Sequence, residues 1–191
     1  MTRWVILVLL LPLLTTQPLQ FCVKSGDYFV YSVDYEYEPD VYQMTVLVEY
    51  ANDTYIEYHV TTYYENGTTD ESTEYQSLYD GGFFFIPCGL EAGENYSDIY
   101  INTTRLVFDF GTVLVLCRTE FTYYNVTVIG EWLQCNGALY YFYLEGVIEL
   151  KLIDTNTIFP LVLVIVVTAA IVVVVVLVLT VILPRKKRVS A

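Results

Sequence analysis

The chain has 191 residues, with 22 acidic against nine basic side chains and a formal net charge of −13. A surface this acidic repels nucleic acid and anionic lipid headgroups, which excludes DNA and RNA as partners. More than half of the residues are hydrophobic, and 19 are tyrosines, so the chain has ample material for a core and an unusual aromatic load.

Arg3 precedes an apolar stretch at 4–14, followed by Thr15, Thr16, Gln17 and Pro18. The stretch is too short to span a bilayer and has the layout of a secretory signal peptide, here assigned to residues 1–20. No Ala-x-Ala site marks the cleavage point, and an uncleaved anchor is the competing interpretation.

Residues 21–157 read as strands almost throughout, because apolar and aromatic residues recur with period two. In "GDYFVYSVDYEYE" one face holds Phe29, Tyr31, Val33, Tyr35 and Tyr37, and much of the other holds Ser32, Asp34, Glu36 and Glu38. In "VYQMTVLVEY" the positions expected to point inward are Tyr42, Met44, Val46, Val48 and Tyr50. "TYIEYHVTTYY" repeats the pattern with Ile56, Tyr58, Val60 and Tyr64 inward. "AND" joins these two segments as a hairpin, and "NGT" at Asn66 turns the chain again. "GGFFFIPCGLEAGENYSD" breaks the pattern with Gly and Pro and predicts a loop around one short strand. "TRLVFDF" and "TVLVLCR" flank Gly111 as another hairpin, and "FTYYNVTVIGEW" and "ALYYFYLEGVIELKLID" follow. The expected fold is therefore all-β: a single antiparallel, Tyr-rich ectodomain of about eight to ten strands, forming a curved sheet, half-barrel or sandwich.

Residues 158–183 give 26 positions without a charge, which as a helix reach about 39 Å. That exceeds the roughly 30 Å of a bilayer core, and in lipid the backbone must satisfy its own hydrogen bonds, which a helix does. Arg185, Lys186, Lys187 and Arg188 follow at once, and such an excess marks the cytoplasmic side. Residues 184–191 are then a short cytoplasmic tail, and 21–157 lie outside the cell. All 22 acids fall in that outer part, against only Lys24, Arg105, Arg118 and Lys151.

Export agrees with the glycosylation sequons at Asn52, Asn66, Asn95, Asn102 and Asn125, all in the outer part. It agrees also with four cysteines, Cys22, Cys88, Cys117 and Cys135, whose even number predicts two disulfides with three pairings open. No CxxC pair is present and the one histidine is remote from the cysteines, so no metal site and no cofactor are expected.

"SGDYFVYSV", "GLEAGENYSD", "VTVIGEWLQC" and "YYFYLEGVIELKLID" together resemble successive landmarks of a group of archaeal surface proteins and related bacterial lipoproteins of mostly unassigned function. The resemblance implies a curved antiparallel sheet displayed outside the cell on a lipid or helical anchor.

Tyr suits strands that are buried on one face and wet on the other, which accounts for most of the tyrosines. The run Tyr140, Tyr141, Phe142, Tyr143 is the candidate aromatic patch. Catalysis has little support: His59 sits on the outward side of its strand beside Glu57, and neither a GxSxG elbow nor an HExxH helix occurs. Acidic pairs such as Glu36 with Glu38, or Asp70 with Glu71, are expected by chance in so acidic a chain, and the calcium-loop spacing is missing. No catalytic residue is assigned. The sequence thus points to a single-pass surface glycoprotein of the cell membrane that contacts other envelope proteins. A sheet that holds a lipid or other hydrophobic ligand is the alternative, and a viral envelope glycoprotein is a third.

Overall fold

A computed structural model describes residues 19–38 and 40–158. Most of the signal segment expected at 1–20, the span expected at 158–183 beyond Ile158, and the expected tail with Arg185, Lys186, Lys187 and Arg188 lie outside the described residues. Among the described residues no helix is long and apolar enough to cross a membrane.

Among the described residues eleven strands form: β1 Tyr28–Tyr35, β2 Val41–Ala51, β3 Tyr55–Tyr64, β4 Thr69–Ser77, β5 Asn95–Tyr96, β6 Ile99–Tyr100, β7 Thr103–Asp109, β8 Thr112–Tyr123, β9 Val126–Leu133, β10 Leu139–Leu144 and β11 Ile148–Thr155. Nine of them make one antiparallel sheet in the order β4-β3-β2-β1-β11-β10-β9-β8-β7, and β5 and β6 pair separately. The sheet is two meanders, β1–β4 and β7–β11, fused where the first strand pairs with the last, from Phe29 opposite Thr155 to Tyr35 opposite Ile148. Tight turns follow from local chemistry. Gly111 after Phe110, and Asn125 after Tyr124, place two consecutive residues at positive φ, the geometry of the two-residue hairpin turn whose twist matches the flanking strands.

The period-two pattern sorts the faces largely as expected. Phe29, Tyr31, Val46, Val48, Ile56, Tyr58 and Val60 are buried on one face. The ends depart from the pattern. Tyr42 and Tyr50 are about half exposed, because the β2–β3 register shifts between Val41 and Gln43 and again between Val48 and Tyr50. An extra residue at each point turns the following side chains to the other side, and Val41 is buried in place of Tyr42. Tyr37 lies beyond the end of β1 and is exposed.

The segment at 78–102, with Gly and Pro breaking its pattern, is what covers this face. Its Phe84, Phe85, Ile86, Leu90, Tyr96 and Ile101 are all buried. Phe85 meets Phe29 and Tyr58 edge-on at ring distances of 5.7 and 5.2 Å, and Phe84 packs on Tyr31 at 5.7 Å. Backbone bonds tie the segment to the start of β10: Ile86 N–H donates to the Gly137 carbonyl and Leu139 N–H to the Phe84 carbonyl. Gly137 is obligatory there, since its φ is +76° and a Cβ would stand 1.8 Å from the Ile86 oxygen. A disulfide between Cys22 and Cys88 fastens the same segment to the chain ahead of β1.

Both ends of the described chain leave from one end of the sheet. The Asn156 side chain accepts from Tyr28 N–H and donates to the Gly26 carbonyl, so the segment entering β1 and the segment leaving β11 are held together.

Candidate functional site

On the covered face, the segment at 78–102 touches β8, β9 and β10 without filling the space over them, and a cleft of about 360 Å³ remains open. Its floor follows from strand register. Thr119 is opposite Gly130, Phe121 opposite Val128 and Phe142 opposite Gly130, which puts all of them on one face. Gly130 has no side chain because the six-membered ring of Trp132 lies over it; a Cβ at 130 would come within 2.3 Å of that ring. The indole N–H of Trp132 in turn donates to the Phe83 carbonyl at 3.1 Å, fixing the wall of the cleft. Phe83 and Phe142 meet edge-on at 4.6 Å, and the rim is completed by Ser97, Asp98 and Ile99. Phe83 is 38 % and Phe121 51 % exposed, so apolar rings face solvent across the opening. Walls of this kind receive a hydrophobic group, with Ser97, Asp98 and Thr119 as the nearby polar contacts.

The opposite face of the same strands carries a buried carboxylate. Glu131 is fully buried, with one oxygen bonded to Arg105 at 2.5 Å and the other to Arg118 at 2.7 Å. Arg118 also holds Glu120, and that hydrogen bond raises its already high pKa. Nearby, the Tyr140 hydroxyl donates to Asp109 at 2.7 Å; burial, and then this bond, push the phenol well above its ordinary range. Paired with one arginine at each oxygen, Glu131 ties β7, β8 and β9 together. Two of the four cations within residues 21–157 are used in this way.

The residues singled out from sequence are spread widely. Asn52, Asn66, Asn95, Asn102 and Asn125 are all exposed. Asn52 and Asn66 stand in hairpin turns, where each side-chain oxygen accepts from the backbone two residues on, and Asn125 occupies a positive-φ turn position. Tyr140, Tyr141, Phe142 and Tyr143 divide between the faces: Phe142 enters the cleft, Tyr140 is buried against Asp109, and Tyr141 and Tyr143 are half-buried on the side of Glu131. His59 bonds Thr73 at 3.3 Å and lies 3.6 Å from Glu71, both on β4. Asp70 accepts from the Tyr64 hydroxyl, whereas Glu36 and Glu38 are exposed beyond β1. Among the described residues no group of three or more His, Cys, Asp or Glu side chains converges as a metal site would.

The four cysteines yield one disulfide, not the expected two. Cys117 is buried in β8 with its sulfur against the Leu90 carbonyl at 2.9 Å, while Cys135 is exposed beyond the end of β9. They therefore remain thiols. Burial, with Glu94 and Glu91 nearby, pushes Cys117 up to about 11, which keeps it protonated and unreactive at neutral pH.

In the sequence the cleft residues Phe83, Phe121 and Trp132 look like ordinary strand and loop hydrophobics. The one available signal is Gly130 inside a strand pattern two residues before a Trp, the mark of a close approach. Comparison of the chain with protein-family models, with curated proteins and with solved structures finds no match.

Proposed function

We propose that this chain is a single-pass surface glycoprotein of the cell membrane whose outer domain binds another envelope protein through the Phe83–Phe121–Phe142 cleft. In this proposal residues 1–20 direct export, 158–183 form the anchoring helix, Arg185 to Arg188 stay in the cytoplasm, and the five exposed sequon asparagines carry glycans. The sheet bends towards a half-barrel around the segment at 78–102, as the resemblance to archaeal surface proteins implies. The role is binding rather than catalysis: neither Glu131, on the opposite face, nor His59, against Thr73 and Glu71, lines the cleft.

The observation that carries the binding role is the contrast within one sheet face. Where a carrier needs a hollow, this face is filled by Phe84, Phe85, Ile86 and Leu90 of the chain itself. What stays open is a cleft of about 360 Å³, at the small end of ligand sites, which run from about 300 to 1,000 Å³. It suits one or two protruding apolar side chains of a partner.

The test is native mass spectrometry of the full chain extracted gently from its own membrane, beside the variant Phe121→Ser. A protein that co-purifies at fixed stoichiometry and is lost from the variant is the expected result. A lipid-sized adduct lost from the variant would replace protein binding by ligand carriage. A partner retained by the variant would remove the cleft from the proposal.

A further inference from the structure

The two edges of the nine-stranded sheet are built differently. β4 presents Asp70, Glu71 and Glu74, charges that discourage a second chain from pairing with it. The β7–β8 hairpin at the other edge instead exposes Leu106 (71 %), Phe108 (70 %), Val113 (53 %) and Val115 (37 %). Leu106 is opposite Val115 and Phe108 opposite Val113, so the four form one patch on one face, ending at the Phe110–Gly111 turn. A hollow of about 350 Å³ continues from the patch through Gly89, Leu133 and Cys135, and no charged side chain lines it. Asp109, the acid at the tip, belongs to the other face, with its oxygens taken by Phe110 N–H and the Tyr140 hydroxyl. In a chain with 22 acids, a charge-free apolar face at a hairpin tip is a local exception.

Its position supplies the occupant. Val115 accepts a backbone bond from Gln134; two residues on, the Asn136 amide donates to Thr157 at 3.0 Å, and Ile158 packs on the core. The hairpin tip and the point where the chain leaves the domain are thus on the same end of the sheet, with the β9–β10 turn bonded to Val115 on one side and to Thr157 on the other. What leaves there is the uncharged run at 158–183. We propose that the β7–β8 tip is seated in the lipid of the bilayer beside the anchor, with Leu106, Phe108, Val113 and Val115 in contact with acyl chains.

Seating of the tip presupposes the anchor at 158–183. Four side chains are a small patch, which gives only weak membrane affinity alone. Tethering by a spanning helix raises its effective concentration at the interface, and weak insertion then suffices to fix orientation. The domain leans on its β7–β8 side. Asn52, in the β2–β3 turn at this same end of the sheet, is separated from β8 by four intervening strands, and at about 4.8 Å and 20–25° of twist per strand it is carried away from the membrane surface.

The experiment places a photo-crosslinking benzoyl-phenylalanine at Phe108, at Val113 or, as control, at Tyr37, which is at the opposite end. The full chain is reconstituted in nanodiscs of palmitoyl-oleoyl phosphatidylcholine with radiolabelled acyl chains. Positions 108 and 113 should take up severalfold more lipid label than position 37. Equal, background labelling at all three in a chain that stays in the nanodisc would overturn the seating while leaving the anchor intact. Crosslinking of position 108 to a second copy would overturn it in favour of edge pairing. A chain that does not enter nanodiscs at all would remove the anchor, and the seating with it.

Discussion

Gly130 is the residue on which the cleft depends. Strand interiors disfavour glycine, and here its absence of a side chain is what lets the Trp132 ring lie flat across β9 and reach the Phe83 carbonyl. Gly130→Ala drives a methyl to 2.3 Å from that ring. We expect a destabilisation of about 1–3 kcal/mol from overpacking and a displaced indole, read as a shift in tryptophan emission and in the denaturant midpoint. Unchanged emission would mean that Trp132 is not held over Gly130.

A second residue-scale expectation concerns pH. Burial raises the phenol of Tyr58 to about 12 and that of Tyr31 well above its ordinary value. Raised pKa values mean that the fold favours the neutral phenols, so their contribution is complete below pH about 10, the unfolded value, and is lost as pH climbs through the folded values. For Tyr58 the loss falls between about pH 10 and 12. Denaturation midpoints measured across that window should fall, and Tyr58→Phe should make the fall shallower.

At the scale of elements, alternation reveals strands well and bulges poorly. The β2 core positions Val46 and Val48 were legible because clean alternation surrounds them, whereas Tyr42, the extra residue of one register shift, and Tyr50, just past the other, were not, because the shifts leave no compositional trace. The segment at 78–102 shows the same limit: Gly and Pro announce a break in the meander, but nothing local says that Phe84, Phe85 and Ile86 will roof the sheet. That roof is held by long-range devices, chief among them the Cys22–Cys88 bridge across a sequence separation of 66. A loop of that size predicts about 4 kcal/mol of stabilisation through the unfolded chain. The double variant Cys22→Ser with Cys88→Ser should therefore unfold at markedly lower denaturant, and proteolysis should first cut between residues 78 and 102. An unchanged midpoint would show that the backbone bonds to Gly137 and Phe84 hold the roof by themselves.

For the whole molecule, the sequence announced an antiparallel all-β domain but not its closure, since pairing of β1 with β11 joins residues more than a hundred positions apart and no local signal encodes it. The cleft was illegible for the same reason: its walls come from the roof segment and from β8, β9 and β10, which meet only once the sheet is complete. This topology makes folding all-or-none with respect to β11. A chain ended after Gly146 keeps both meanders nearly whole, yet it leaves β1 and β10 with open edges in mid-sheet and deletes Leu150 and Leu152 from the core. Two such edges, flanked by exposed apolar faces, invite pairing between chains. The truncated chain should aggregate rather than form a smaller stable domain, whereas ending the chain at Ile158 removes no strand and should leave the domain folded. Circular dichroism and size-exclusion of the two truncations compare them directly. A soluble, β-rich monomer ending at Gly146 would mean that each meander folds on its own and that the first and last strands merely dock.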